Sequence, residues 1–92
     1  MFARLVRFSL QPGNQSAAAA LATELVPEIK KQAGCSSVTV FVDGDDEGGL
    51  FVLWDTEDHA NAASQVIRPQ LDKHLAGRIK GPPDVRLFNV IS

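Results

Sequence analysis

Four side chains in this 92-residue chain have chemistry suited to binding a planar phenol and holding its anion: His74, His59, Trp54 and Arg86. His74 shares a helical stripe with Leu71 and Leu75. A half-buried neutral imidazole there can take a proton from a phenolic substrate, or it can simply pack and bond a backbone carbonyl. His59 falls in the first turn of the same pattern. The positive end of the helix dipole disfavours its protonation, which suits a base; a contact with Asp55 is the structural alternative. Trp54 closes an apolar run, so its ring can wall a pocket and stack on a planar ligand, or pack in the core. Arg86, with Arg4 and Arg7, sits on a strand pattern. Each can clamp an anion, pair with an acid at an interface, or snorkel at a sheet edge.

Other motifs say less. Asp43, Asp45, Glu47 and Gly48 mimic the first half of a calcium loop, but its twelfth position would be Trp54 instead of a carboxylate, so a hairpin tip is the expected reading. Cys35 reads as a small buried filler. The chain has no Tyr, which removes a phenolic proton relay. No serine sits in a nucleophile elbow and no glycine-rich phosphate loop follows a strand.

The elements that position these residues centre on Gly34 to Trp54. Val38–Val42 and Leu50–Trp54 are β-branched and aromatic runs joined by an acidic, glycine-rich connection, which predicts a hairpin. Phe2 to Leu10 predicts the first strand and Val85 to Ile91 the last. Ala17 to Ala33 predicts a helix with Leu21, Leu25 and Ile29 inward, a kink or restarted turn at Pro27, and Gly34 as a left-handed cap. The second helix starts at Asp55 or Thr56, with His59, Ala63, Val66 and Ile67 inward. Arg68-Pro69 is expected to break it, with Pro69 opening a second piece that carries His74.

The order strand, helix, strand, strand, helix, strand predicts an α+β, ferredoxin-like βαββαβ fold with a four-stranded antiparallel sheet. Two helices cover one face of such a sheet. The runs above are apolar on both faces, and the second apolar face predicts a homodimer packed sheet to sheet.

Bulk properties bound the rest. The length implies a single domain over residues 1–92. A net charge of -2 gives no basic stripe for nucleic acid, and no apolar run approaches the ~20 residues of a membrane span. Arginines interrupt the N-terminal apolar run, so it reads as strand instead of signal peptide, and a cytoplasmic protein is expected. One cysteine excludes an internal disulfide.

Gly34-Cys35, Val38 to Asp43, Leu50 to Trp54 running into Asp55-Thr56-Glu57, and the spacing to Pro82-Pro83-Asp84 and the last strand resemble the antibiotic biosynthesis monooxygenase (ABM) domain family. The resemblance covers essentially the whole chain. It implies a dimeric α+β barrel and, from active members, a cofactor-independent monooxygenase acting on a quinol-like or polyketide-like aromatic, with no bound cofactor and no metal. Haem-degrading members resemble one another in a first-strand Asn, a second-helix Trp and a late second-helix His. Here only His74 matches, so haem chemistry is not expected. The alternative is a non-catalytic dimer of the same fold that binds a small molecule or serves a structural role. Two convergent polar groups in a cavity favour the enzyme; a pocket filled by Trp54 and leucines favours the alternative.

Overall fold

In a computed structural model that describes residues 1–14, 16–44 and 46–91, the apolar runs form a sheet with one helix-covered face. The elements are β1 (Phe2–Ser9), α1 (Ser16–Ala20), a π-helical turn (Leu21–Leu25), α2 (Val26–Lys30), β2 (Cys35–Asp43), β3 (Glu47–Trp54), α3 (Glu57–Leu75) and β4 (Asp84–Asn89). All three pairings are antiparallel, in the order β2-β3-β1-β4. This is the α+β, ferredoxin-like arrangement that the element order predicts. Asp45, the middle acid of the calcium-like pattern, lies outside the described residues.

Register decides which side chains meet. Val6 pairs with Leu50 on one side and Val85 on the other, and Arg4 pairs with Val52 and Leu87. These even positions of β1 face the helices. The core there joins Val6, Phe8, Leu50, Val52 and Trp54 to Leu21, Leu25 and Ile29 of the first helical stretch and to Ala60, Ala63, Ile67, Leu71 and Leu75 of α3. The opposite face carries Leu5, Phe51, Leu53 and Phe41 half-buried and Phe88 45% exposed. Phe41 lies over Gly49, where a side chain would collide with its ring.

Pro27 and Pro69 are absorbed in different ways. Ahead of Pro27, which has no N–H for the Thr23 carbonyl, the chain widens into the π turn, and the Val26 N–H bonds the Leu21 carbonyl. A new α-helical segment, α2, restarts at Val26. Pro69 does not break α3, contrary to the sequence reading: one helix of 19 residues runs from Glu57 to Leu75. Pro69 and Gln65 are both exposed, so the carbonyl freed at Gln65 faces water and needs no protein partner. The α3 stripe is Ala60, Ala63, Ile67, Leu71 and Leu75, while Val66 is 45% exposed and His59 sits at the flank. Thr56 caps the helix by accepting from the His59 N–H at 3.1 Å. Gly34 has φ 84°, the left-handed cap the sequence predicts, and a side chain there would also run into Asp55 and His59. No described helix is long and apolar enough to cross a membrane.

Candidate functional site

An apolar cleft opens between the helix-facing side of the sheet and α3. The sheet supplies Arg4 and Val6 from β1, Leu50, Val52 and Trp54 from β3, and Val85 from β4; α3 supplies Ala60, Ser64, Ile67, Arg68 and Leu71. Its empty volume, open solvent at the mouth included, is about 490 Å³. Ala60, Ser64 and Arg68 follow one another at intervals of four, and Leu71 lies three further on, so one line of α3 faces the cleft.

The polar atoms in this cleft are unusually poorly served. Trp54 is 1% exposed, yet its indole Nε1–H has no acceptor. Arg4 donates from Nη2 to Asn61 Oδ1 at 3.1 Å, while its Nε is buried without a partner. Among the described residues these two atoms are the buried side-chain nitrogens or oxygens without a partner, and both belong to the cleft lining. Burial, and then the charge of Arg68, pulls the Arg4 guanidinium below the usual arginine value. Ser64 is committed elsewhere, its hydroxyl donating to the Asn61 carbonyl at 3.1 Å. The cleft walls therefore carry positive charge, and two of the residues that line it hold a buried donor without a partner. Among the described residues, its lining contains no carboxylate and no imidazole.

The four residues singled out in the sequence are not brought together. Trp54 forms a wall of the cleft. His74 lies outside the lining, because an unbroken α3 keeps it on the flank toward the π turn. It is 23% exposed, its Nδ1 is 3.5 Å from Glu24 Oε2, and it shares a polar groove with Lys73 and Arg78. His59 places Nδ1 2.7 Å from Asp55 Oδ1 at the exposed start of α3. That hydrogen bond is the main reason the Asp55 carboxyl is held below the usual carboxylate range. Arg86 alternates with Val85, so it leaves the opposite sheet face, and its Nε is 3.0 Å from Asp84 Oδ2. Arg7 similarly reaches Glu47 at 3.7 Å. Cys35 is half-buried, and burial pushes its thiol up.

Arg4 is one of three strand arginines in the sequence reading; alternation with Val6 and Phe8 marks it as the one facing the helices. Arg68 and Ser64 were missed. The four-residue spacing from Ala60 finds them, whereas the stripe expected from sequence runs through His59, Ala63, Val66 and Ile67.

Residues 1–66 match the family model described as antibiotic biosynthesis monooxygenase. The chain belongs to the antibiotic biosynthesis monooxygenase family. No curated protein matches it. Among solved structures, a protein of unknown function from Nitrosomonas europaea aligns at 21% identity with a TM-score of 0.87, over 99% of this chain and 89% of that one. The monooxygenase from the gene ActVA-Orf6 of Streptomyces coelicolor, in complex with the ligand nanaomycin D, aligns at 23% identity with a TM-score of 0.78, over 99% and 88%. Rv0793 from Mycobacterium tuberculosis aligns at 19% identity with a TM-score of 0.79, over 99% and 95%. Likeness at these identities establishes the fold.

Proposed function

We propose that the protein is a small monooxygenase that works without a bound cofactor on a quinol-like or polyketide-like aromatic held in the cleft beside Trp54. The observation that carries this reading is an otherwise apolar cleft lined by Trp54 and Arg4, whose Nε1–H and Nε–H are buried without a partner. An aromatic ring fills the apolar walls, and small side-chain shifts of Trp54 and Arg4 on binding bring those buried donors to its oxygen substituents. Ionisation of the substrate raises its electron density. The anion then reduces oxygen directly, one oxygen atom becoming a ring carbonyl at a methylene carbon and the other leaving as water. The protein contributes desolvation, positioning and fixed positive charge.

His74 and His59 have no part in this chemistry, and the proton leaves to solvent at the cleft mouth. His74→Ala should then leave turnover within a few-fold. A base engaged in the reaction contributes ~10²–10⁴-fold, so a loss of that size would restore His74 to the mechanism.

The active unit is proposed to be a homodimer whose sheets pack through the face bearing Leu5, Phe41, Phe51, Leu53 and Phe88. Supporting it is the extent of that apolar face beside a helix-covered one. A stable interface needs roughly 1,200 Å² or more in total. Sedimentation equilibrium at micromolar concentration should give the dimer mass; a folded monomer there refutes it.

Oxygen uptake with a panel of hydroquinones and anthrones tests the activity. Uptake dependent on the folded protein supports it. The absence of uptake from a protein that still binds these aromatics in the cleft makes the chain a binding module of the same fold, a reading favoured by the lack of any carboxylate or imidazole in the described lining.

A further inference from the structure

We propose that the cleft selects an aromatic oxyanion, an aryl carboxylate or phenolate, and that Arg4 and Arg68 are the pair that determines this specificity. The inference rests on the reading of the cleft as an aromatic site, but not on any oxygen chemistry there.

Charge is the first argument. Among the described residues, the only charged ones in the lining are these two arginines, one from β1 and one from α3, and they converge from opposite walls. Neither has an acidic partner in that lining. Asp72 stands 4.0 Å from Arg68 Nε, with both side chains more than half exposed, a geometry in which an ion pair is weak. Arg4 has the neutral amide of Asn61 and, among the described residues, nothing ionised. Burial first, and then the charge of Arg68, holds the Arg4 guanidinium below its usual value. Two like charges at one apolar mouth are relieved by a ligand that supplies the missing negative charge.

Geometry is the second. A guanidinium presents its Nε–H and one Nη–H as a fork matched to two oxygens of a carboxylate. Arg4 gives one N–H of Nη2, the nitrogen beside Nε in that fork, to Asn61, and its Nε is buried without a partner. Arg4 holds this position because β1 alternation puts it on the core side with Val6 and Phe8. A solvated surface arginine would need no such placement. Trp54, on the neighbouring strand β3, lines the same cleft and carries a second unpartnered donor. A neutral quinone oxygen would serve one donor and leave the repulsion unchanged. An oxyanion serves the donors and cancels the repulsion together.

The test uses isothermal titration calorimetry on the full chain with three probes of one shape: 2-naphthoate, 2-naphthamide and 2-naphthol. At neutral pH and low salt, naphthoate should bind roughly tenfold to a hundredfold more tightly than the amide, the range expected for a charge-assisted fork. Added salt should narrow that gap. Arg4→Met should reduce the preference to within about twofold, and Arg68→Met by several-fold, with amide binding little changed in either. Arg68 is exposed, so its variant tests the idea even where Arg4→Met folds poorly.

Naphthol binding as tightly as naphthoate identifies phenolate as the source of charge. Naphthol binding like the amide identifies carboxylate. Equal affinity for naphthoate and naphthamide, no binding of either, or a preference that survives both substitutions overturns the proposal. Selective binding without oxygen uptake would count against the monooxygenase reading alone. Uptake with no anion preference would count against this inference alone.

Discussion

Replacing Arg4 by Met should make the unliganded protein more stable. The buried Nε has no acceptor, and an unsatisfied buried donor costs about 1–3 kcal/mol. Removing the guanidinium also removes its repulsion with Arg68. Against this stands one hydrogen bond, to an exposed Asn61, with a net value of about 0.5–1.5 kcal/mol. Methionine keeps an unbranched apolar stem of similar reach, so contacts with Val52 and Leu87 across the register are largely retained. The balance favours the variant by about 1 kcal/mol. For a domain of this length that raises Tm by about 4–8 °C. Thermal and urea unfolding can be followed through Trp54, the single tryptophan. Protein concentration must be held constant so that any association cancels. A midpoint lowered by the equivalent of about 1 kcal/mol or more would refute the reasoning. Arg4 would then be a strut of the fold, and its unpartnered Nε no sign of a ligand.

Three further outcomes are expected. Pro69→Ala restores an N–H to the interior of α3; helix propensity favours Ala by about 3 kcal/mol, offset by unfolded-state entropy of about 0.4–1 kcal/mol and by hydration of the Gln65 carbonyl, so urea denaturation should show a gain of about 1–2 kcal/mol. A loss of stability would mean that α3 is divided there after all. Gly34→Ala places a side chain at φ 84° and against Asp55 and His59, and should destabilise by at least about 1–2 kcal/mol; an unchanged melting curve would contradict the packing. Asp55 is held below its ordinary value of 3.8 when folded, so on acidification the unfolded chain takes up that proton first. Its contribution is therefore complete above that value and disappears as pH falls through the lower folded one. The Tm gap between wild type and Asp55→Asn should be open at about pH 6 and close toward about pH 2, and a gap constant across that range would rule the pair out as its source.

The fold was legible because its signals are local and agree with one another. β-Branched and aromatic residues in Val38–Val42 and Leu50–Trp54 mark strands, Gly34 marks a helix end by its backbone freedom, and Thr56 caps the second long helix. The helices were legible in place but not in detail. Proline removes one hydrogen bond wherever it stands, but the consequence depends on what surrounds the freed carbonyl, which only the tertiary structure reveals. At Pro69 the carbonyl faces water and the helix continues; at Pro27 the preceding turn widens instead. That single difference changes which side chains α3 presents to the sheet. With α3 unbroken, His74 turns toward Glu24, and the line through Ser64 and Arg68 faces the cleft. Trp54 lines the cleft because it ends a strand that leads straight into the helix forming it. The unmet needs of Arg4 and Trp54 were invisible in sequence, since the lack of a partner is a property of three-dimensional neighbours.

The π turn at Leu21–Leu25 has a bearing on how this chain can change length. Leu21, Leu25 and Ile29 recur at intervals of four, a spacing that drifts steadily around an α-helix, yet all three are buried to within 1%. The wider turn holds one more residue than an α-helical turn and takes up that drift, so the flanking segments keep the same face inward. A π turn is structurally a single-residue insertion already accommodated. Loss of one solvent-facing residue from it, such as Thr23, regularises the helix without re-aiming Ala17 or Ile29. Relatives differing by one residue in this stretch can therefore share the same core, and an alignment that places that gap elsewhere would misassign every helix residue after it.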